Sequence, residues 1–244
     1  QPFENHIQIH PKLHPYNQRD MAEYETTYKS HHMLLDGYED QNRIQATGVP
    51  LWELSKLGKG MRIGDVGSGP GLFSFEMSKI VGDTGRVVAV DINESVLDFI
   101  NYKADRLSIS NIQTHLTKPE AINLDGEELD IVFVTQTYHA MIDFNDPDEQ
   151  SNYTQVLRPF IESIERALKD DGVLIIQDHS PSVSILEKQL GQAGFVASER
   201  YVELFRVPNQ ENVRWKGTPY NWVEYDAELD LPFQTNYLVL FKKE

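Results

Sequence analysis

The chain has 244 residues, a formal net charge of −16 and no cysteine, which excludes disulfides, thiolate catalysis and Cys-ligated zinc. So acidic a chain disfavours nucleic-acid backbones and anionic lipid surfaces, because no run of Lys and Arg makes a basic patch; a small neutral or cationic partner suits its field. The hydrophobic fraction of 40% and the charged fraction of 25% fit a folded domain able to bury a core without staples, and no apolar run approaches the ~20 residues that span a bilayer.

Residues 1 to about 30 are polar, rich in His and Pro, and read as an irregular arm. The chain begins at Gln1 rather than Met, so a trimmed N-terminus is expected. No signal-peptide pattern is visible; cytoplasmic localisation is expected, with an exported form left open. His6, His10 and His14 recur every fourth residue, followed by His31 and His32. Pro11 and Pro15 argue against a helix that would gather them on one face, so a solvated arm is expected and no metal ligand is assigned. Two helical patterns follow between about 20 and 57. The second, Val49 to Leu57, has Leu51, Trp52, Leu54 and Leu57 as apolar positions and stops at Gly58 and Gly60.

From Met61 the texture changes. Arg62 to Val66 reads as a short buried strand, Leu72 to Val81 as a helix, and Arg86 to Val90 as a continuous apolar strand ending at Asp91. Ser95 to Leu107 reads as a helix, Ile112 to Leu116 and Leu129 to Val134 as strands. Tyr153 to Leu168 reads as an amphipathic helix interrupted or kinked by Pro159. Val173 to Gln177 is a further strand and Val183 to Ala193 a helix closed by Gly194. Val196 to Phe205 and Tyr237 to Phe241 are strands with no helix between them. Strand–helix alternation predicts a parallel sheet covered on both faces, and a final pair without a helical crossover must be antiparallel.

The turn Asp65-Val66-Gly67-Ser68-Gly69-Pro70-Gly71 joins the first strand to its helix. Glycines admit positive φ and let a ligand approach the main chain, while the helix N-terminus offers unpaired N–H groups. Asp91 ends the next strand, 20 residues past Gly71, where a carboxylate can accept both hydroxyls of a ribose. The pattern departs from the dinucleotide fingerprint G-x-G-x-x-G: the third glycine falls one place early and Leu72 stands in its position. Asp65 would repel a pyrophosphate and welcome an ammonium group.

These residues, D-V-G-S-G-P-G followed by V-V-A-V-D, resemble the first motif and its successor in class I S-adenosylmethionine (SAM)-dependent methyltransferases. Leu57-Gly58-Lys59-Gly60-Met61, Val81-Gly82-Asp83-Thr84-Gly85, Thr137-Tyr138-His139 and Asp178-His179-Ser180 extend the likeness toward a bacterial group of small-molecule methyltransferases. It covers roughly residues 45 to 200 and the final strand. The resemblance implies a Rossmann-like α/β fold, with a seven-stranded, mostly parallel sheet and a reversed C-terminal β-hairpin. It implies SAM as cofactor, lined by Asp65, Gly67, Ser68, Gly69 and Gly71, with Asp91 on the ribose. Ile92, Thr117 and Thr135 complete the expected cofactor set. The third-strand region departs from the family, Thr117-Lys118-Pro119-Glu120 standing where an acid would meet adenine. The expected organisation is an N-terminal arm and cap, residues 1–45, and a SAM-binding domain, residues 46–244, carrying an insertion at 207–232.

Candidate catalytic residues follow from where parallel strands end, since ligands bind outside the carboxyl edge of such a sheet. Tyr138 and His139 follow the fourth strand, Asp178 and His179 the fifth. A histidine titrating near neutrality can take the proton an acceptor hydroxyl or amine must lose; finishing a strand is the plainer use of all four. Asp143, Asp146, Asp148 and Glu149 read as solvated surface, the alternative being a cation or a positively charged substrate held near the methyl donor. Residues 207 to 232 hold Trp215, Tyr220, Trp222 and Tyr225, and the arm holds Tyr16, Tyr24 and Tyr28. Both segments are expected to cover the acceptor pocket. Core packing and a dimer contact are other uses of the rings in the insertion, so a homodimer stays open. The expected activity is methyl transfer to a small molecule, without nucleic-acid or membrane partners; the alternative is a non-catalytic SAM-fold binding module.

Overall fold

The computed structural model describes residues 49–141, 153–179, 181–203, 222–224 and 236–244. A short helix α1 (Val49–Leu54) leads into β1 (Arg62–Val66), α2 (Leu72–Val81), β2 (Arg86–Asp91), α3 (Glu94–Arg106), β3 (Ile112–Leu116) and β4 (Leu129–Thr135). After a 3₁₀ turn at Tyr138–Met141 and a π-helical turn at Tyr153–Leu157 come α4 (Arg158–Ala167), β5 (Leu168–Asp178), α5 (Val183–Gly191), β6 (Phe195–Glu203), β7 (Trp222–Glu224) and β8 (Tyr237–Lys243).

Among the described residues eight strands form one sheet in the order β3-β2-β1-β4-β5-β8-β6-β7. Neighbours from β3 to β5 pair in parallel, and β8 runs antiparallel to both β5 and β6. All seven expected strands are therefore in the sheet, with the reversed strand between β5 and β6. The eighth, β7, adds three residues antiparallel to the end of β6. It lies in the segment expected as an insertion.

Alternation along the strands builds two cores. Val88, Val90, Val132, Val134, Leu174, Ile176, Val239 and Phe241 pack against Phe160, Ile161 and Ile164 of α4 and Leu186 and Leu190 of α5. Ile63, Val87, Ala89, Ile131, Phe133, Ile175, Leu238 and Leu240 pack against α2 and α3. The same side carries α1, whose Trp52 meets Phe73 edge-on with ring centroids 6.2 Å apart. Continuous apolar runs such as Arg86–Asp91 are buried because both faces are covered.

One local expectation holds and another changes. The helical run from Tyr153 is interrupted at Pro159: a π-helical turn, Tyr153–Leu157, passes directly into α4, whose second residue is Pro159. Such a local change of helical register is where a proline's ring and missing N–H are accommodated. β5 begins at Leu168 rather than Val173, pairing across an irregularity between Leu129 and Ile131.

The strand order fixes where a ligand can sit. From β1 the chain steps outward through β2 and β3, then returns to place β4 on the other side of β1. The loops leaving β1 and β4 therefore diverge, and the crevice at this reversal is where open α/β sheets bind ligands.

Candidate cofactor and acceptor site

The glycine loop leaves β1 at that crevice and rests on the end of β2. The N–H groups of Gly67 and Ser68 donate to the Val90 carbonyl at 2.8 and 3.1 Å. Asp91, the last residue of β2, accepts the Gly69 N–H through Oδ2 at 2.9 Å and the Asn93 N–H through Oδ1 at 2.9 Å. Asn93 in turn caps α3 by accepting the Ser95 N–H. One carboxylate thus ties the loop, the strand end and the next helix start together, with lone pairs to spare.

Two glycines are required by contact as well as conformation. Gly67 has φ +74°, and a Cβ there would overlap the Thr137 side chain from beyond β4. Gly71, φ +85°, caps α2, and its Cβ would come 2.9 Å from Ile100 Cγ1. The loop is therefore wedged between the chain leaving β4 and helix α3. Asp65 lies beneath it, 3% exposed, and accepts the Ser74 hydroxyl from α2. Its charge sits near the positive end of that helix.

The other expected cofactor residues differ in what they offer. Ile92 is 60% exposed, beside Asp91 at the end of β2. Thr135 is buried at the end of β4, in register with Gln177. Thr117 donates its N–H to the Asp91 carbonyl at 3.0 Å and its hydroxyl to the Ala121 carbonyl, so its side chain closes its own turn rather than presenting a free donor. Sequence reasoning missed Leu116, 51% exposed and the register partner of Asp91. Its signal was an apolar residue ending the strand beside the acid.

The four candidate catalytic residues separate. Tyr138 is fully buried, and its hydroxyl donates to Gln189 Oε1 at 2.9 Å. Burial, reinforced by nearby Tyr153, pushes its ionisation well above the ordinary tyrosine range. This corrects the expectation of Tyr138 as a catalytic candidate: it packs in the core between the sheet, α4 and α5. His139, Asp178 and His179 come together instead. Asp178 is fully buried and accepts the backbone N–H of His139 through Oδ2 at 3.1 Å and that of His179 through Oδ1 at 2.7 Å. Nδ1 of His139 lies 2.9 Å from the same Oδ1, and Nδ1 of His179 lies 3.2 Å from it. The rings are partly exposed, with centroids 4.6 Å apart. Such a cluster can hold a proton or a cation; its donor atoms lie within 4.8 Å of one another.

Gln136, also missed, joins this cluster. Its Oε1 lies 3.1 Å from His179 Nδ1, and its backbone holds φ +50° while its N–H donates to the Gln177 carbonyl at 2.8 Å. The arm with Tyr16, Tyr24, Tyr28 and its histidines lies outside the described residues. So do Asp143, Asp146, Asp148, Glu149, Ser180, Trp215, Tyr220 and Tyr225. Among the described residues no helix is long and apolar enough to cross a membrane.

Comparisons with known proteins bear on the family and the fold. A family model described as a methyltransferase domain matches residues 57–226. The ubiquinone/menaquinone biosynthesis C-methyltransferase of Shewanella oneidensis is 27% identical over 165 residues, covering 64% of this chain and 61% of that protein. The protein of the same description from Escherichia coli is 26% identical over the same shares. The chain thus spans about three fifths of the length of the curated relatives it matches. Among solved structures, a SAM-dependent methyltransferase from Aquifex aeolicus superposes with a TM-score of 0.59 at 19% identity, covering 90% of this chain and 96% of that one. A putative sarcosine dimethylglycine methyltransferase from Galdieria sulphuraria gives a TM-score of 0.57 at 12% identity, covering 75% and 77%.

Proposed function

The chain belongs to the methyltransferase-domain family, and from that premise we propose that it transfers the methyl group of SAM to a small-molecule acceptor. The observation that carries this reading is the carboxylate of Asp91 bound to the loop N–H of Gly69 at 2.9 Å. That bond brings a ribose-binding acid and an anion-binding helix start to one crevice.

Neighbouring strand ends then lay out the ligand. The strands run β2-β1-β4-β5, and three steps of ~4.8 Å put roughly 14 Å between Asp91 and Asp178. That reach suits an extended nucleoside amino acid. SAM, when bound, supplies a sulfonium methyl group to a nucleophile in line with the S–C bond.

The residues present fit such a ligand. Asp91 keeps lone pairs for ribose hydroxyls after accepting two backbone N–H groups. Ile92 and Leu116, exposed at the ends of β2 and β3, offer apolar surface for a purine. The start of α2 receives the amino-acid carboxylate, while buried Asp65 favours the ammonium group through its field. Thr135 and the turn at Gln136 bound the crevice on the β4 side.

His139, Asp178 and His179 are the polar groups at the far end of this layout, where the acceptor sits and gives up its proton. Asp178 orients both imidazoles, so a nucleophile and the donor can be held in line, which is the largest contribution a protein makes to a displacement of this kind. The net charge of −16 supports a neutral or cationic small molecule over nucleic acid as acceptor.

The reading is tested with radiolabelled SAM and a panel of small acceptors bearing hydroxyl, amine, thiol and activated-carbon nucleophiles. Label transferred to a small molecule supports it. Tight S-adenosylhomocysteine binding without transfer to any acceptor favours a binding module, and label found only in RNA overturns the acceptor class.

A further inference from the structure

The arrangement around Asp178 exceeds what holding one proton requires. Its Oδ1 faces three nitrogens at once: Nδ1 of His139 at 2.9 Å, Nδ1 of His179 at 3.2 Å and the backbone N–H of His179 at 2.7 Å. Nδ1 of His179 also lies 3.1 Å from Gln136 Oε1, so two imidazole nitrogens, a carboxylate oxygen and an amide oxygen are linked by contacts of hydrogen-bond length. Nδ1 lone pairs directed at a cation shared with Oδ1 would use these atoms without moving a residue far.

The separations suit such an ion. Bonds of ~2.0–2.1 Å from imidazole nitrogen and carboxylate oxygen make polyhedron edges of about 2.9 Å in octahedral and 3.4 Å in tetrahedral geometry. The two Oδ1–Nδ1 distances, 2.9 and 3.2 Å, fall at or between these edges. The support is rigid as well. Backbone N–H groups of the two histidines fix the buried carboxylate, as second-shell donors do around metal ligands.

Gln136 adds an independent sign. It is a non-glycine residue at φ +50°, a conformation that costs free energy and persists where the surroundings demand it. The result is an amide oxygen 3.1 Å from His179 Nδ1, placed as a fourth, neutral oxygen donor.

We infer that His139, Asp178 and His179, with Gln136 beside them, bind one divalent transition-metal ion at the acceptor end of the crevice. Two imidazoles and one carboxylate select ions such as Zn²⁺, Co²⁺ or Ni²⁺ over Mg²⁺ and Ca²⁺, which take oxygen ligands. Two imidazoles and one carboxylate leave a position open in either geometry, and both rings are partly exposed, so an oxygen or nitrogen of a small acceptor can complete the shell. Only the naming of that last ligand rests on the proposed methyl transfer; the ion site stands without it.

The test uses the full chain, stripped with a chelator and titrated with Co²⁺ by visible absorption and with Zn²⁺ by calorimetry, in the absence of SAM. The expected result is one tight equivalent, Co²⁺ developing the bands of a nitrogen-rich site, and a rise in melting temperature on Zn²⁺ addition. His139→Ala and His179→Ala, partly exposed and so tolerable to the fold, are each expected to weaken Zn²⁺ binding by more than about tenfold and to remove the thermal shift. A triple variant of the arm, His6→Ala, His10→Ala and His14→Ala, is expected to retain both. Binding that survives both single variants, or that only the arm variant abolishes, overturns the inference. Loss of S-adenosylhomocysteine binding with the ion site intact would instead count against the methyl-transfer reading alone.

Discussion

Asp91 and Gly69, 22 residues apart, are joined by a hydrogen bond of 2.9 Å from the loop N–H to the strand-end carboxylate. The bond means that the acid and the loop are set before any ligand arrives, so binding does not have to order the loop. Replacing Asp91 by Ala removes both this anchor and the ribose acceptor. We expect S-adenosylhomocysteine binding to weaken by about 1.5–3 kcal/mol, the range for hydrogen bonds to a charged acceptor, with the circular dichroism of the fold retained. Calorimetric titration checks this; an unchanged dissociation constant would place the ribose elsewhere.

The apolar surface offered to a purine gives a second expectation. Ile92 and Leu116 are exposed, so Ile92→Ser and Leu116→Ser should leave stability nearly unchanged. Each should weaken S-adenosylhomocysteine by roughly 1 kcal/mol, about half of what fully burying such a side chain contributes. Equal losses in binding and in stability would show instead that the two side chains support the fold.

Gly67 is expected to tolerate no side chain. Gly67→Ala would combine a strained φ of +74° with overlap on Thr137, at a cost of roughly 1–3 kcal/mol in denaturant unfolding. Adding Thr137→Gly should recover part of the loss by removing the overlap but not the strain. No recovery would mean that the backbone conformation alone sets the cost.

Tyr138 separates a packing role from a catalytic one. Tyr138→Phe removes the bond to Gln189 and should cost about 1 kcal/mol of stability while leaving kcat for methyl transfer unchanged. The pH dependence has a definite sign. Burial raises the phenol's ionisation above the ordinary 10.0, so the unfolded chain loses its proton first as pH rises. The stability contribution is present below pH 10.0 and declines above it. Unfolding midpoints measured on the alkaline side should fall less steeply for Tyr138→Phe than for the parent chain.

Much of the fold was legible because parallel strands covered on both faces must be apolar throughout. The strand Arg62–Val66 has the boundaries that pattern predicts, and the helix Leu72–Val81 those that helical spacing predicts. Pro159 marked the interruption of its amphipathic stretch, while the form it takes, a π-turn ahead of the proline, left no pattern in the sequence. The three residues of β7 had no signal, being too short for periodicity to register.

At the site, the spacing of Gly67, Gly69, Gly71 and Asp91 located the crevice. Tyr138 and His139 were indistinguishable in sequence as neighbours after β4, since the turn decides which faces the core. The bond from Tyr138 to Gln189 crosses 51 residues, and the convergence of His139 on Asp178 crosses 39; neither separation leaves a local pattern.

The most direct test of the account is one calorimetric comparison on the unmodified chain, titrated separately with S-adenosylhomocysteine and with NAD. The crevice formed by the Gly67–Gly71 loop, Asp91 and Asp65 predicts a single S-adenosylhomocysteine site and no measurable NAD binding. Tight NAD binding with no uptake of S-adenosylhomocysteine would contradict it.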